Sequence, residues 1–460
     1  MMRTLFRASA CTALLLLSVP AWSVAEESGE SAAGSPNVVE ITASEVRSLI
    51  DSGRYNEALR ILRPLQPDSG SELSLLFLFG LAATGASQNP ALPPAEREAL
   101  LDEAIAAFRA MLIDRPELVR VRLELARAFF FKGEDDLSRR HFEHVLAGNP
   151  PEAVVANVRR FLAQIRARKR WTLHAGFALA PDTNIGGGSA ERFIDIGGLP
   201  FRRDAEELTT SGIGLAAWAG GEYQLPLNPR LRLRSGGNVS RRDYAGSQFD
   251  SMFLSGHVGP RWFVSVNSEI SVLATVQRNW YGNVPNFDAL GGRIESRHRF
   301  TRRLTGYGQA SWLDRQYRSR TYLDGPVANV SLSGYWVVTP TLRANAGLGW
   351  GRERPESERW RHERQWLRAG VEVAFPRGYT LGASGELRST DYEGNWFPNT
   401  RGGVPRQDRT RSVRLSLHNR ALSWNGFSPQ ISLVHEIRDT NAQLYDYKRT
   451  GGELRVVRLF

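Results

Sequence analysis

The sequence predicts a multidomain α+β chain, with an N-terminal α-solenoid followed by a C-terminal antiparallel transmembrane β-barrel of about fourteen strands. Three observations carry this reading. Apolar residues recur at helical spacing as far as about Lys169, then at every second position from Trp171 to the last residue. The charge divides at the same place: residues 26–170 hold 19 basic and 21 acidic side chains, whereas 171–460 hold 38 basic and 27 acidic, and of those basic residues only Lys448 is not Arg. Finally, the 460 residues contain no run of the roughly 20 apolar positions that a spanning helix needs.

Composition excludes several classes. With 42% hydrophobic and 23% charged residues, the chain is neither mostly disordered nor collagen-like. Its single cysteine, Cys11, excludes an intrachain disulfide and any Cys-based metal centre.

Residues 1–25 read as a secretory signal peptide. Arg3 and Arg7 form its basic head, Ala8 to Val19 its apolar stretch, and Ser23-Val24-Ala25 its cleavage site. Residues 26–38, rich in Ser, Gly, Glu and Ala, read as a flexible tail. The expected helical domain is 39–170 and lies in the periplasm. Pro116 and Pro150 stand 34 residues apart, the period of a tetratricopeptide repeat. Between them Leu125, Ala126 and Phe129 take the packing positions of a first helix, Gly133 a tight turn, and Phe142 and Leu146 a second helix. Ala104 and Phe108 hold the matching places one unit earlier, and Gly53-Arg54-Tyr55 opens a weaker unit. Leu73 to Ala83 reads as a buried repeat helix, and Glu152 to Lys169 as a closing one. A generic helical bundle is the alternative.

Residues 171–460 alternate strand after strand. Trp171, Leu173, Ala175, Phe177 and Leu179 share one face of the first strand, and Leu367, Ala369, Val371, Val373 and Phe375 one face of a later one. Strand starts are expected near 171, 210, 230, 250, 268, 287, 303, 324, 341, 364, 379, 409, 429 and 447, with long polar breaks at 186–207, 353–361 and 395–408. A soluble β-sandwich would alternate too. The barrel is favoured because the polar face is crowded with Arg, Glu, Asn and Gly, as a wet lumen is. Aromatics such as Trp171, Tyr223, Trp262, Trp336 and Trp424 also gather near strand ends. The last strand carries Arg449, Gly451, Leu454, Val456 and a terminal Phe460, the spacing of a barrel-assembly signal. Lipopolysaccharide phosphates or the lumen, not nucleic acid, are the expected surroundings of the arginines.

Other motifs are set aside. Gly212-Ile213-Gly214-Leu215-Ala216-Ala217 lies inside an alternating strand, so it lacks the strand–turn–helix context of a nucleotide site. Gly186-Gly187-Gly188 lacks the Lys-Ser/Thr of a phosphate loop, and no Gly-x-Ser-x-Gly elbow occurs. His141 and His144, one helical turn apart, are read as lying on a solvated helix face. No enzyme activity, cofactor or metal is expected.

The layout resembles the surface lipoprotein assembly modulator (Slam) family of Gram-negative bacteria. The local resemblance is Pro181-Asp182-Thr183-Asn184-Ile185 at the start of the barrel, similar to that family's Pro-Asp-x-Asn-Ile segment. It implies an outer-membrane translocator whose clients are surface lipoproteins or secreted haem- and metal-acquisition proteins. The repeats would receive the client, the barrel would conduct it or release it sideways, and the barrel-assembly machinery would insert the chain. A polysaccharide-export porin and a plain diffusion porin are the competing readings.

Overall fold

The computed structural model describes residues 38–65, 73–190, 193–196, 199–202, 209–396, 400, 403–422 and 427–458. The signal-peptide segment, the tail as far as residue 37, Trp424 and Phe460 lie outside them. Seven helices come first: α1 (Val38–Asp51), α2 (Tyr55–Leu62), α3 (Leu73–Ala86), α4 (Pro94–Asp114), α5 (Val119–Lys132), α6 (Asp135–Ala147) and α7 (Glu152–Arg168). None of the described helices is long and apolar enough to cross a membrane.

The helices form two apolar layers. Ala104, Phe108, Leu125 and Phe129 belong to a layer built around α3, whose Leu75, Leu76, Leu78, Ala82 and Ala83 are all buried. Ala126, Phe142 and Leu146 face the other way, onto Val155, Val158 and Ile165 of α7. Phe161 stacks on Phe142 with centroids 5.1 Å apart and meets Phe130 edge-on at 4.9 Å. Gly133 ends α5 in the left-handed region (φ +84°), and its amide and that of Glu134 bond Phe130 O and Phe129 O. His141 is not solvated, contrary to the sequence reading. It is buried and stacked on Phe129 at 5.6 Å, because α6 turns this face inward.

Sixteen strands follow: β1 (Trp171–Asp182), β2 (Phe193–Ile196), β3 (Leu199–Arg202), β4 (Gly212–Asn228), β5 (Leu231–Asp243), β6 (Ser251–Phe263), β7 (Ser268–Tyr281), β8 (Val284–Arg299), β9 (Leu304–Tyr317), β10 (Gly325–Val337), β11 (Leu342–Glu353), β12 (His362–Ala374), β13 (Tyr379–Tyr392), β14 (Gln407–Asn419), β15 (Phe427–Thr440) and β16 (Tyr447–Arg458). Fourteen of them, β1 and β4 to β16, close an antiparallel barrel, and every expected strand start falls within three residues of an observed one. The stretch 186–207, expected as a polar break, holds the separate hairpin β2–β3. Those strands are only four residues long, too short to alternate legibly.

Apolar side chains face outward. Leu173 and Phe177 are 77% and 59% exposed, while Ala178 and Ala180, on the opposite face of the same strand, are buried. Outward residues on β13 run from Tyr379 through Leu381 and Ala383 to Leu387. At about 3.3 Å per residue and a tilt near 40°, that stretch covers roughly 20 Å of height, close to a bilayer's apolar band. The connections 264–267, 300–303, 338–341 and 375–378 lie at the end where the helices join β1. Most loops at the opposite end are longer, but β7–β8 turns on Gly282 and Asn283 alone, both at positive φ. Three of the far loops share one lock: Asp250, Asp324 and Asp446 each accept, through Oδ1, the backbone N–H of Tyr244, Tyr317 and Thr440.

The helical core yields a prediction. A Cβ on Gly80 would stand 2.5 Å from Phe108 Cε1. Gly80→Val should therefore cost about 1–3 kcal/mol through overpacking. Trypsin should cut the helical region of the full-length protein roughly tenfold faster, with the barrel left intact.

Candidate functional site

Two features distinguish this barrel: a helical cap over one mouth and an incomplete seam in the wall. The cap is held by hydrogen bonds and ion pairs to four of five consecutive turns, and α4 packs on the remaining one, between β12 and β13. Arg166 Nη2 donates to Val266 O at 3.2 Å in the β6–β7 turn. Glu143 lies 3.0 Å from Arg299 and 3.4 Å from Arg297, and Glu152 pairs with Arg302, all at the β8–β9 turn. His144 Nδ1 lies 3.3 Å from Pro340 O, between β10 and β11. Arg420, after β14, donates to Leu112 O of α4 at 3.4 Å, and to Gly378 O and Phe375 O of the β12–β13 turn at 3.3 and 3.1 Å. One guanidinium thus ties a helix to two turns. On β5, Arg232 donates to Lys169 O at 3.2 Å and also reaches Arg166 O, holding the end of α7.

Cations crowd this junction. Burial lowers Arg122 to about 10, with Arg420 and Arg343 adding repulsion, and burial lowers Arg420 to about 10 beside Arg343. Burial also pushes His141 and His144 well below the usual histidine range, with Arg122 the largest neighbouring charge on each. Both imidazoles are therefore neutral at neutral pH. This arrangement places His144 against the barrel rather than in solvent, which corrects the sequence reading for that residue as well.

The lumen is lined by paired charges. Arg234 bridges Glu222 and Glu295, Arg368 and Arg388 share Glu386, and Arg315 meets Glu353 at 3.1 Å. A cavity of 450 Å³ inside the wall is bordered by Asn345, Arg368, Glu372, Glu386, Arg414 and Arg455. Each of these arginines is matched by an acid within reach. Other arginines stand on the outer face above the apolar belt: Arg278 and Arg318 converge on Asp288, and Arg409 meets Asp391 at 3.1 Å.

The seam joins the two motifs that the sequence singled out. β1 and β16 pair at Ala178↔Arg455, Leu179↔Leu454 and Asp182↔Gly451. Arg449 binds Asp182 across the seam, and Thr183 N donates to Thr450 O at 3.0 Å while Thr450 N donates to Thr183 Oγ1 at 2.9 Å. Asn184 is fully buried; its Nδ2 donates to Gly188 O at 2.8 Å and to Lys448 O at 3.5 Å. Asp182 also accepts the backbone N–H of Asn184 at 2.9 Å. Ile185 N donates to Thr210 O at 2.8 Å, and Pro181 sits 3.1 Å from where a Cβ on Gly452 would be. The Pro-Asp-x-Asn segment therefore straps the barrel closed at the end away from the cap. Val456 lies on β16 opposite Pro429 of β15. The repeat-packing residues lie in the cap, apart from the seam.

Sequence reasoning missed the cap contacts and the loop locks. Arg420 follows a strand in an ordinary polar turn and carries no local signal. The locks do have one, an apolar or aromatic residue followed by Asp, in Phe249-Asp250, Leu323-Asp324 and Tyr445-Asp446.

A closed antiparallel barrel with an apolar outer belt and a polar lumen is the architecture of an outer-membrane protein of Gram-negative bacteria. The family model described as "Surface lipoprotein assembly modifier" matches residues 165–460, and the chain belongs to that family. It is 24% identical over 360 residues to "Surface lipoprotein assembly modifier 1" of Neisseria meningitidis serogroup B, covering 77% of this chain and 72% of the relative. It is 22% identical over 370 residues to a "Surface lipoprotein assembly modifier" of Moraxella catarrhalis, covering 78% and 70%. Among solved structures, the outer membrane channel DcaP of Acinetobacter baumannii aligns at a TM-score of 0.37 and 10% identity, over 63% of this chain and 98% of that one. The outer-membrane location follows from the barrel and the family.

Two outcomes follow for the site. Asp182→Ala leaves Arg449 facing the lumen without its carboxylate and releases Asn184. Because Arg449 is partly exposed, the loss should be about 1–3 kcal/mol rather than the full cost of a dry pair. It should be read as a lower temperature for loss of the folded band on unboiled gels, with Asp182→Asn milder. Acidification should loosen the cap. His141 and His144 are held neutral in the docked state, so a detached or unfolded cap binds more protons and stability falls as pH drops below about 6.5. Proteolysis of the helical domain should accelerate between pH 7 and pH 5, and the double change His141→Gln, His144→Gln should flatten that dependence.

Proposed function

We propose that this protein moves lipoproteins from the periplasm to the cell surface, with the helical domain receiving the client and the barrel passing it on. The observation that carries this reading is the seat of the helices across five turns of one mouth. Anything entering the lumen from that side meets the helical domain first. The family match supports lipoproteins as the client class.

The remaining roles follow the same reading. The helical pairs act as tetratricopeptide-like repeats in the periplasm, after export directed by residues 1–25. The outward arginines above the belt meet lipopolysaccharide phosphates. Arg449, Gly451, Leu454, Val456 and Phe460 mark the last strand for the barrel-assembly machinery. The paired lumen charges give an extended polypeptide a polar path without one dominant sign, so passage is not restricted to acidic chains. Acyl chains are a different matter. Taking them out of hydrocarbon costs about 0.8 kcal/mol per CH₂, so a polar lumen resists a lipid anchor.

The test uses intact cells that express a candidate lipoprotein together with the protein. Detaching the cap by combining Arg420→Ala with Glu143→Lys should leave the barrel in the membrane and lower surface display at least tenfold. Undiminished display with a detached cap would remove the receptor role of the helices.

A further inference from the structure

Building on the translocation reading, we propose that the barrel wall opens sideways at the cap end of the β1–β16 seam. A client's acyl chains would stay in the bilayer through this opening while its polypeptide occupies the lumen.

The seam differs from every other strand pairing. β1 pairs with β4 along its whole length, from Trp171↔Tyr223 to Asp182↔Gly212. Against β16 its pairing begins only at Ala178. Continuing that register would set Phe177 against Val456, Gly176 against Val457 and Ala175 against Arg458. None of these three pairs forms, so Val456 to Arg458 are laddered on one side only, to β15. Backbone groups at membrane depth demand partners, and along Ala175 to Phe177 the described residues of β16 supply none of the register pairs. This edge is flanked outside by Trp171, Leu173 and Phe177, all well exposed.

The other half of the seam is strapped. Arg449 with Asp182, Thr183 with Thr450, and Asn184 with the Lys448 carbonyl all lie at the end away from the cap. A seam fastened at one end and unpaired at the other opens like a hinge, on the side from which the client arrives. The cap seats on the turns from β6–β7 round to β14–β15, and the seam lies in the remaining arc of the ring.

The experiment locks the hinge. Phe177→Cys with Val456→Cys places a disulfide at the first unpaired position, in a chain whose only cysteine is Cys11. Oxidised, this variant should display a lipidated client at least tenfold less than when reduced. It should pass the same client unchanged when the client's lipid-bearing cysteine is replaced. Equal display of the lipidated client in both redox states overturns the lateral opening. If reduced and wild-type protein both fail to move any client, the translocation reading fails instead. The seam is then judged without a client, from spin-label distances in phospholipid vesicles. Labels at Ala175 and Val456 should give a broad, two-population distribution, whereas the paired control Ala383 and Leu415 should give one narrow peak. A single narrow peak at the seam overturns the proposal.

Discussion

In hydrocarbon, a backbone N–H or C=O without a partner costs several kcal/mol, and a sheet escapes that cost only by closing on itself. The rest of the structure depends on this constraint. It requires the first and last strands of a 290-residue segment, 171–460, to find each other. The residues that join them are few. Asp182 reaches Arg449, Asn184 reaches the Lys448 carbonyl, and Thr183 N donates to Thr450 O while Thr450 N donates to the Thr183 hydroxyl. The ring is thus closed chiefly by polar contacts at one rim, and less by the continuous ladder that holds its other thirteen joints.

Charge follows from the same closure. A wall with one apolar face must turn its other face onto an enclosed polar space, and the arginines there are neutralised pair by pair. Such pairs add little stability where water reaches them. Their effect is on the character of the lumen, since Arg234 between Glu222 and Glu295 presents no free sign to a passing chain. The cap junction is the exception. Arg122, Arg343 and Arg420 approach one another there, and beside the Glu143 and Glu152 ion pairs the helices are held through backbone carbonyls such as Leu112 O and Val266 O. A contact made of carbonyl bonds against mutual cation repulsion is one that can be released.

Much of this was legible in the sequence because period and face are local properties. Leu173, Phe177 and Leu381 announce an outward face by spacing alone, and strand starts follow from where the alternation breaks. Leu125 and Phe129, and Phe142 with Leu146, likewise mark helix faces, though not that the first pair looks toward α3 and the second toward α7. What could not be read is whatever joins distant positions. Nothing near Asp182 names Arg449, 267 residues away. Nothing near Arg420 names Leu112. His141 and His144 look solvent-facing in a helix of mostly polar residues, and only the docking of α6 against Phe129 and the Pro340 turn buries them.

The two-residue turn at Gly282 and Asn283 has a consequence for the outer rim. The connection beside the seam, between β1 and β4, carries the β2–β3 hairpin, and Trp396 packs on Tyr392 after β13. The β7–β8 corner, on the other side of the ring, barely rises above its strands. The rim is therefore lopsided, a parapet with one low stretch. Large molecules at the cell surface can come nearest the lipid headgroups there, and a chain emerging from the lumen meets its shortest overhang on that side.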